Sequence, residues 1–180
     1  MVALALGIDA VAGTMPMAKN PPKLLLDATR SRSTKTEGGD FDDKTQIVQL
    51  NYVVKNGDLN AKSVEGLTLH YWAIAQSAAD RKAYEVIEAG SAPVKLDNTQ
   101  QGREMRVEGE PVKLMLDNTG VARFGAAYKG FLMVVVNAQN EVVAVKGTMP
   151  SWQTNLERAF ALKKNAWCGL DLKPIATPKD

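Results

Sequence analysis

The side chains that could do chemistry are few. His70 is the only histidine and Cys168 the only cysteine of the 180 residues. One histidine leaves the commonest general base a single candidate, and it prevents a two-histidine metal site within one chain. His70 sits between Leu69 and Tyr71-Trp72 in an apolar stretch, where a structural or surface role comes before a catalytic one. Cys168, in Ala166-Trp167-Cys168-Gly169, has no neighbour in sequence that would depress its pKa, so it reads as a buried, inert thiol. The chain lacks the G-x-S-x-G turn of a serine hydrolase, the G-x-x-x-x-G-K-[ST] phosphate loop and the G-x-G-x-x-G dinucleotide pattern. No cofactor is expected. Three aspartates, Asp40, Asp42 and Asp43, crowd behind Glu37; their spacing misses the EF-hand pattern, and they read as a solvated loop before a calcium site. No metal centre is expected.

The remaining candidates are for binding. Arg30 and Arg32, with Lys35 nearby, fall on one side of an extended segment at period two. They suit an anionic partner, but charge along an edge strand also blocks edge-to-edge aggregation, and that protective reading is preferred. Trp72 with His70 and Thr68 would make an outward aromatic platform of the kind sugars or partner proteins dock on. Its rival, burial of Trp72 under the C-terminal helix or a loop, is the preferred reading. A net charge of +2 shows no basic concentration for nucleic acid.

The elements that must position these groups are mostly strands. Thr45 to Lys55 alternates, with Val48, Leu50, Tyr52 and Val54 on one face. Leu67 to Gln76 follows the same rule, and its more uniformly apolar face (Leu67, Leu69, Tyr71, Ala73, Ala75) is assigned to the core. Ser77 to Gly90 could open as a helix from Ser77, but Tyr84-Glu85-Val86-Ile87 favours a strand after a loop at Ala78 to Arg81. Pro93-Val94-Lys95-Leu96 and Pro111-Val112-Lys113-Leu114 share a phrase; two copies are too few for a solenoid and read equally well as two similar strands.

Phe131 to Val136 is apolar on both faces, as expected of a central strand covered on both sides, and Val142 to Val145 returns after a hairpin-length turn. Ser151 to Asn165 is predicted as one helix, N-capped by Ser151, with Lys163 and Lys164 in its last turn. Its stripe of Trp152, Leu156, Ala159 and Phe160 is expected to cover the hairpin sheet or another outward apolar patch, each large side chain contributing about 1.5–3 kcal/mol.

Many short strands with one helix predict a mainly β protein, an antiparallel β-sandwich. The expected organisation is an apolar N-terminal segment and Pro-rich linker over 1–23, a sandwich domain over 24–150, and a C-terminal helix and extended tail over 151–180. Residues 1–12 are apolar apart from Asp9 and end in Ala10-Val11-Ala12, the small-x-small form of a signal-peptidase site, yet lack a basic start. A signal remnant and a short apolar element both remain open. No segment is long enough to span a membrane.

The segments Leu69-His70-Tyr71-Trp72, Asp80-Arg81-Lys82-Ala83-Tyr84-Glu85-Val86, and Tyr128-Lys129-Gly130-Phe131 leading into Val142-Val143-Ala144-Val145-Lys146 resemble immunoglobulin-like sandwich domains of Verrucomicrobial cell-envelope proteins, those encoded beside type IV pilus-like secretion genes. The likeness runs from about Thr45 to Thr148. It implies an immunoglobulin-like sandwich and a non-enzymatic protein of the cell envelope or a secreted one, associated with the outer membrane, whose partners are envelope or pilus-like proteins. It brings no catalytic or ligand residues. The paired cysteines of antibody domains are missing. The reading is therefore an interaction module. A carbohydrate-binding module using Trp72, with a glycan as partner, is the alternative, and a hydrolase with dispersed carboxylates is the third.

Overall fold

The structure, a computed structural model, describes residues 15–36, 44–58, 63–99, 102–118 and 123–178, with the side chains of 32–36, 44, 118 and 123 set aside. Among the described residues nine strands and two short helices follow one another: β1 (Leu24–Thr36), β2 (Lys44–Asn56), β3 (Val64–Ser77), β4 (Tyr84–Leu96), β5 (Glu104–Glu108), β6 (Val112–Asn118), β7 (Arg123–Asn137), β8 (Val142–Gly147), α1 (Pro150–Thr154), α2 (Leu156–Ala161) and β9 (Trp167–Cys168). The apolar N-terminal run and the acidic loop with Asp40, Asp42 and Asp43 lie outside the described residues. The fold is mainly β and sandwich-like, as its alternating segments imply.

All named strand pairs are antiparallel. One sheet carries β1, β2, β5 and β6; the other carries β9, β4, β3, β7 and β8. β7 belongs to both. Its first residues, Arg123 to Gly125, pair with Asn118 to Leu116 of β6, and from Ala126 onward it pairs with β3. The changeover falls at Gly125, whose φ is +85° and where a Cβ would run into the carbonyl of Met115. Gly66 shares the left-handed backbone (φ +73°) but faces open space. Gly66→Ala should therefore cost about 1 kcal/mol from backbone strain alone, and Gly125→Ala about 1–3 kcal/mol more. Urea denaturation of the two variants compares them; equal losses would mean that the close approach to Met115 is unimportant.

The alternation of β2 holds: Val48, Leu50, Tyr52 and Val54 face the core between the sheets. Leu67, Leu69, Ala73 and Ala75 of β3 meet them there, with Tyr71 partly buried beside them. The opposite face of β3 is not a solvent face. Trp72 and Ile74 join Val86, Leu132, Val134, Val136 and Val142 in a second core. The two-sided apolar run of β7 is thus covered on both sides, and what covers it is the C-terminal segment.

That segment differs from the single helix expected over Ser151 to Asn165. Asn155 (φ −114°, ψ 45°) interrupts it after one turn. The Asn155 Nδ2 donates to the Ser151 carbonyl at 2.8 Å and the Thr154 hydroxyl donates to the same oxygen at 3.1 Å, so side chains compete with the helical ladder. Met149, not Ser151, holds the N-cap position, with Pro150 opening the helix; the Ser151 hydroxyl donates instead to the Leu170 carbonyl. Leu162 is already extended, so Lys163 and Lys164 lie beyond the last turn. The packing expectation stands nonetheless. Trp152, Leu156 and Ala159 are buried in the second core with side chains of β3, β4, β7 and β8, and Phe160 is partly buried beside them.

Two ambiguous segments resolve locally. At Ser77 the hydroxyl accepts from the Asp80 N–H (3.1 Å), and the Asp80 carboxylate accepts from the Lys82 N–H (2.9 Å). These bonds build a turn into β4 in place of a helix. The two Pro-Val-Lys-Leu copies are strands of different sheets, the end of β4 and the start of β6, with Val94, Leu96 and Leu114 all in the inter-sheet core.

Candidate functional site

The residues singled out by sequence fall in two separate places. His70 and Trp72 lie on the outer face of the central sheet, beneath α2. Phe160 meets both rings edge-on, at 4.7 Å from His70 and 5.4 Å from Trp72, and Trp72 Nε1 donates to the Leu162 carbonyl at 3.4 Å. Trp72 is 5% exposed. The outward aromatic platform offered by Thr68, His70 and Trp72 is therefore not formed: the preferred alternative, burial under the C-terminal segment, holds because Trp72 is one wall of the second core. Burial also holds the His70 imidazole below its usual pKa.

Arg30 is on β1, the end strand of the sheet order. It continues the row of Leu24, Leu26 and Ala28, and where the core runs out its guanidinium lies 4.9 Å over the Tyr128 ring. Burial pushes the Tyr128 hydroxyl up to about 12. Arg32, also on β1, lies opposite Val48 of β2, and its side chain is outside the described set. Cys168 is buried, its thiol pushed up to about 11 by burial and by Asp171, which is the inert state expected of it.

A polar cluster was not visible in sequence. In the β3–β4 ladder Ala73 pairs with Glu88 but Ile74 pairs with Val86, so Ile87 is an extra residue. This bulge turns Ile87 and Glu88 to the same side, into the space between the sheets. There the Glu88 carboxylate accepts the Tyr52 hydroxyl (2.9 Å) and the Glu110 N–H (2.9 Å). The Tyr71 ring packs 4.3 Å from that of Tyr52 and covers Gly90, its partner across the ladder. Burial raises the pKa of Glu88 and of Tyr52. Lys164 pairs with Glu110 at 2.8 Å on the exposed side. The group clasps β2, β4 and the β5–β6 connection together; its arrangement is that of a structural tie.

A cleft of about 360 Å³ opens at the end of the sandwich, where β7 crosses between sheets. Glu85 and Trp167 form one wall, Lys113, Leu114 and Met115 of β6 another, and Thr177 of the C-terminal tail a third. Met115 also belongs to a surface feature. On the outer face of the β1–β2–β6 sheet, Thr45 opposes Met115 and Asp117 opposes Phe124, so Ile47, Met115 and Phe124 form a diagonal across β2, β6 and β7. Their exposures are 37%, 61% and 37%. No group of three or more potential metal ligands occurs among the described residues, and no helix among them is long and apolar enough to cross a membrane.

No protein-family model matches the sequence, and none of the curated proteins does. Among solved structures, a crystal structure from Akkermansia muciniphila is similar over 84% of this chain and 81% of that chain, at 12% identity and a TM-score of 0.29. So distant a likeness assigns no function.

Proposed function

We propose that this chain is a non-enzymatic interaction module of the cell envelope, docking a protein partner on the outer face of the β1–β2–β6 sheet. The observation that carries the reading is the exposed diagonal of Ile47, Met115 and Phe124. Contiguous large apolar side chains at a surface lose free energy in water and recover it when a partner covers them. An aromatic ring beside an adaptable thioether is a common centre for such contacts. The polar neighbours Gln49, Lys113 and Asp117 on the same face would form the rim. The envelope location draws on the resemblance of the strand segments and on the apolar run before Ala10-Val11-Ala12, and a pilus-like assembly is the kind of partner that resemblance implies. A glycan partner gripped by Trp72 is disfavoured by the cover of Phe160 over that ring.

Met115→Glu leaves the core untouched, because the side chain is exposed. It is expected to weaken capture of envelope proteins by at least tenfold, about 1.4 kcal/mol, with an unchanged melting temperature. Undiminished capture by Met115→Glu, or a purely cytoplasmic location in cell fractions, would overturn the reading.

A further inference from the structure

We infer that the cleft beside this diagonal receives a basic side chain, lysine or arginine, of the docked protein, held between the Glu85 carboxylate and the Trp167 indole. The inference rests on the docking reading and adds the chemistry of the partner. Glu85 and Trp167 are directly opposed in the β4–β9 pair, so their side chains share a face. Tyr84 and Cys168, the neighbouring pair, point the other way into the second core. Glu85 and Trp167 therefore look together into the open end of the sandwich.

Glu85 is half-buried, and among the described residues its carboxylate has no hydrogen bond or ion pair. That sets it apart. Asp27 has Lys146, Glu104 has Lys55, Glu110 has Lys164 and Asp171 has Arg158. A carboxylate drawn out of water without a partner is held at a cost that an entering cation would offset. Burial already raises its proton affinity. An indole face beside a carboxylate adds cation–π attraction, and Leu114, Met115 and Ala126 offer an apolar wall for the methylene stem. Lys113 stands on the β6 wall and is engaged in an interaction of its own; its like charge directs a second cation toward Glu85 and Trp167. Met115 lines both cleft and diagonal, so a partner lying across the diagonal is in reach of the cleft.

Three probes test this: the N-acetyl, N′-methylamide derivatives of lysine, arginine and norleucine. The readout is the indole N–H resonance of Trp167 in the full chain, assigned with Trp167→Phe. Lysine and arginine derivatives should give saturable shifts that weaken with salt, and the norleucine derivative none. Glu85→Gln, similar in shape, should lower affinity for the first two at least tenfold with the melting temperature held. Norleucine binding equal to lysine binding, or unchanged affinity in Glu85→Gln, would overturn the inference. Capture from envelope fractions separates it from the docking reading. If Glu85→Gln captures as well as the native chain while Met115→Glu does not, the cation pocket falls and the docking face stands. If Met115→Glu captures fully, the docking face falls, and with it the partner as source of the cation.

Discussion

Trp152→Ala is expected to destabilise the protein by about 3–5 kcal/mol, the range for emptying a buried aromatic site. Trp152 has no exposed surface and is the largest side chain by which the C-terminal segment grips the central sheet. Its ring meets Tyr84 edge-on at 6.0 Å. Truncation would leave a void in the second core beside Tyr84 of β4, in a segment whose two helices are each too short to hold shape alone. The melting temperature should fall by roughly 10 °C for a chain of this size. Trp152→Phe should lose about 1.5 kcal/mol or less, because it keeps most of the volume and removes an indole N–H that has no partner. Removing everything after Thr148 should do more damage than either substitution, since it uncovers Trp72, Leu132, Val134 and Val142 together. Thermal denaturation of the three proteins measures this. A truncated chain melting with the full one would show that the segment does not stabilise the sheet.

Glu88→Ala is the second large effect. It strips the acceptor from both the Tyr52 hydroxyl and the Glu110 N–H, and two groups left without partners should cost about 2–4 kcal/mol. Glu88→Gln keeps an oxygen for the N–H and should cost far less. The pH dependence separates charge from shape. Burial raises the folded-state pKa of Glu88 above that of an ordinary glutamate. As pH rises through the window between the unfolded and folded values, the folded chain retains a proton that the unfolded chain has released. The Glu88 contribution to stability is thus fully present below the window, falls across it and is level above it. Asp27, Glu104, Glu110 and Asp171 have lowered pKa values and act in the opposite sense. The quantity to follow is therefore the difference between the native chain and Glu88→Gln in urea denaturation from pH 4 to 8. It should move in favour of Glu88→Gln as pH rises, and a constant difference would show that burial does not burden the carboxylate.

The main strands and the inter-sheet core are legible from side-chain alternation. Val48, Leu50, Tyr52 and Val54 take the face their period assigns, as do Leu67, Leu69, Ala73 and Ala75. Alternation fails where a second layer arrives. Thr68, His70, Trp72, Ile74 and Gln76 read as a mixed outer face, and only the apolar reach of Phe131 to Val136 on the neighbouring strand signals that this face is covered. It fails again at a bulge. Glu88 follows Val86 at the spacing that would put it in the second core, and the extra residue at Ile87 that redirects it leaves no mark in one sequence. The helix stripe was readable because burial follows the spacing of Trp152, Leu156 and Ala159, while the break between them depends on a side-chain bond from Asn155. Glu85 and Trp167 are 82 positions apart and meet only through a two-residue strand.

The passage of β7 from one sheet to the other has a mechanical side. A force applied at the diagonal would load β6, and the strain would reach the central sheet through β7. From Ala126 to Asn137 that strand is bonded to β3, with β8 along its other side from Leu132. Tension along it must shear many bonds at once, because they lie across the direction of pull. Peeled from its β6 end, where only Arg123 to Gly125 engage, the same strand would give way bond by bond. A tether on this fold should therefore hold best when drawn parallel to β7 and worst when lifted from that corner.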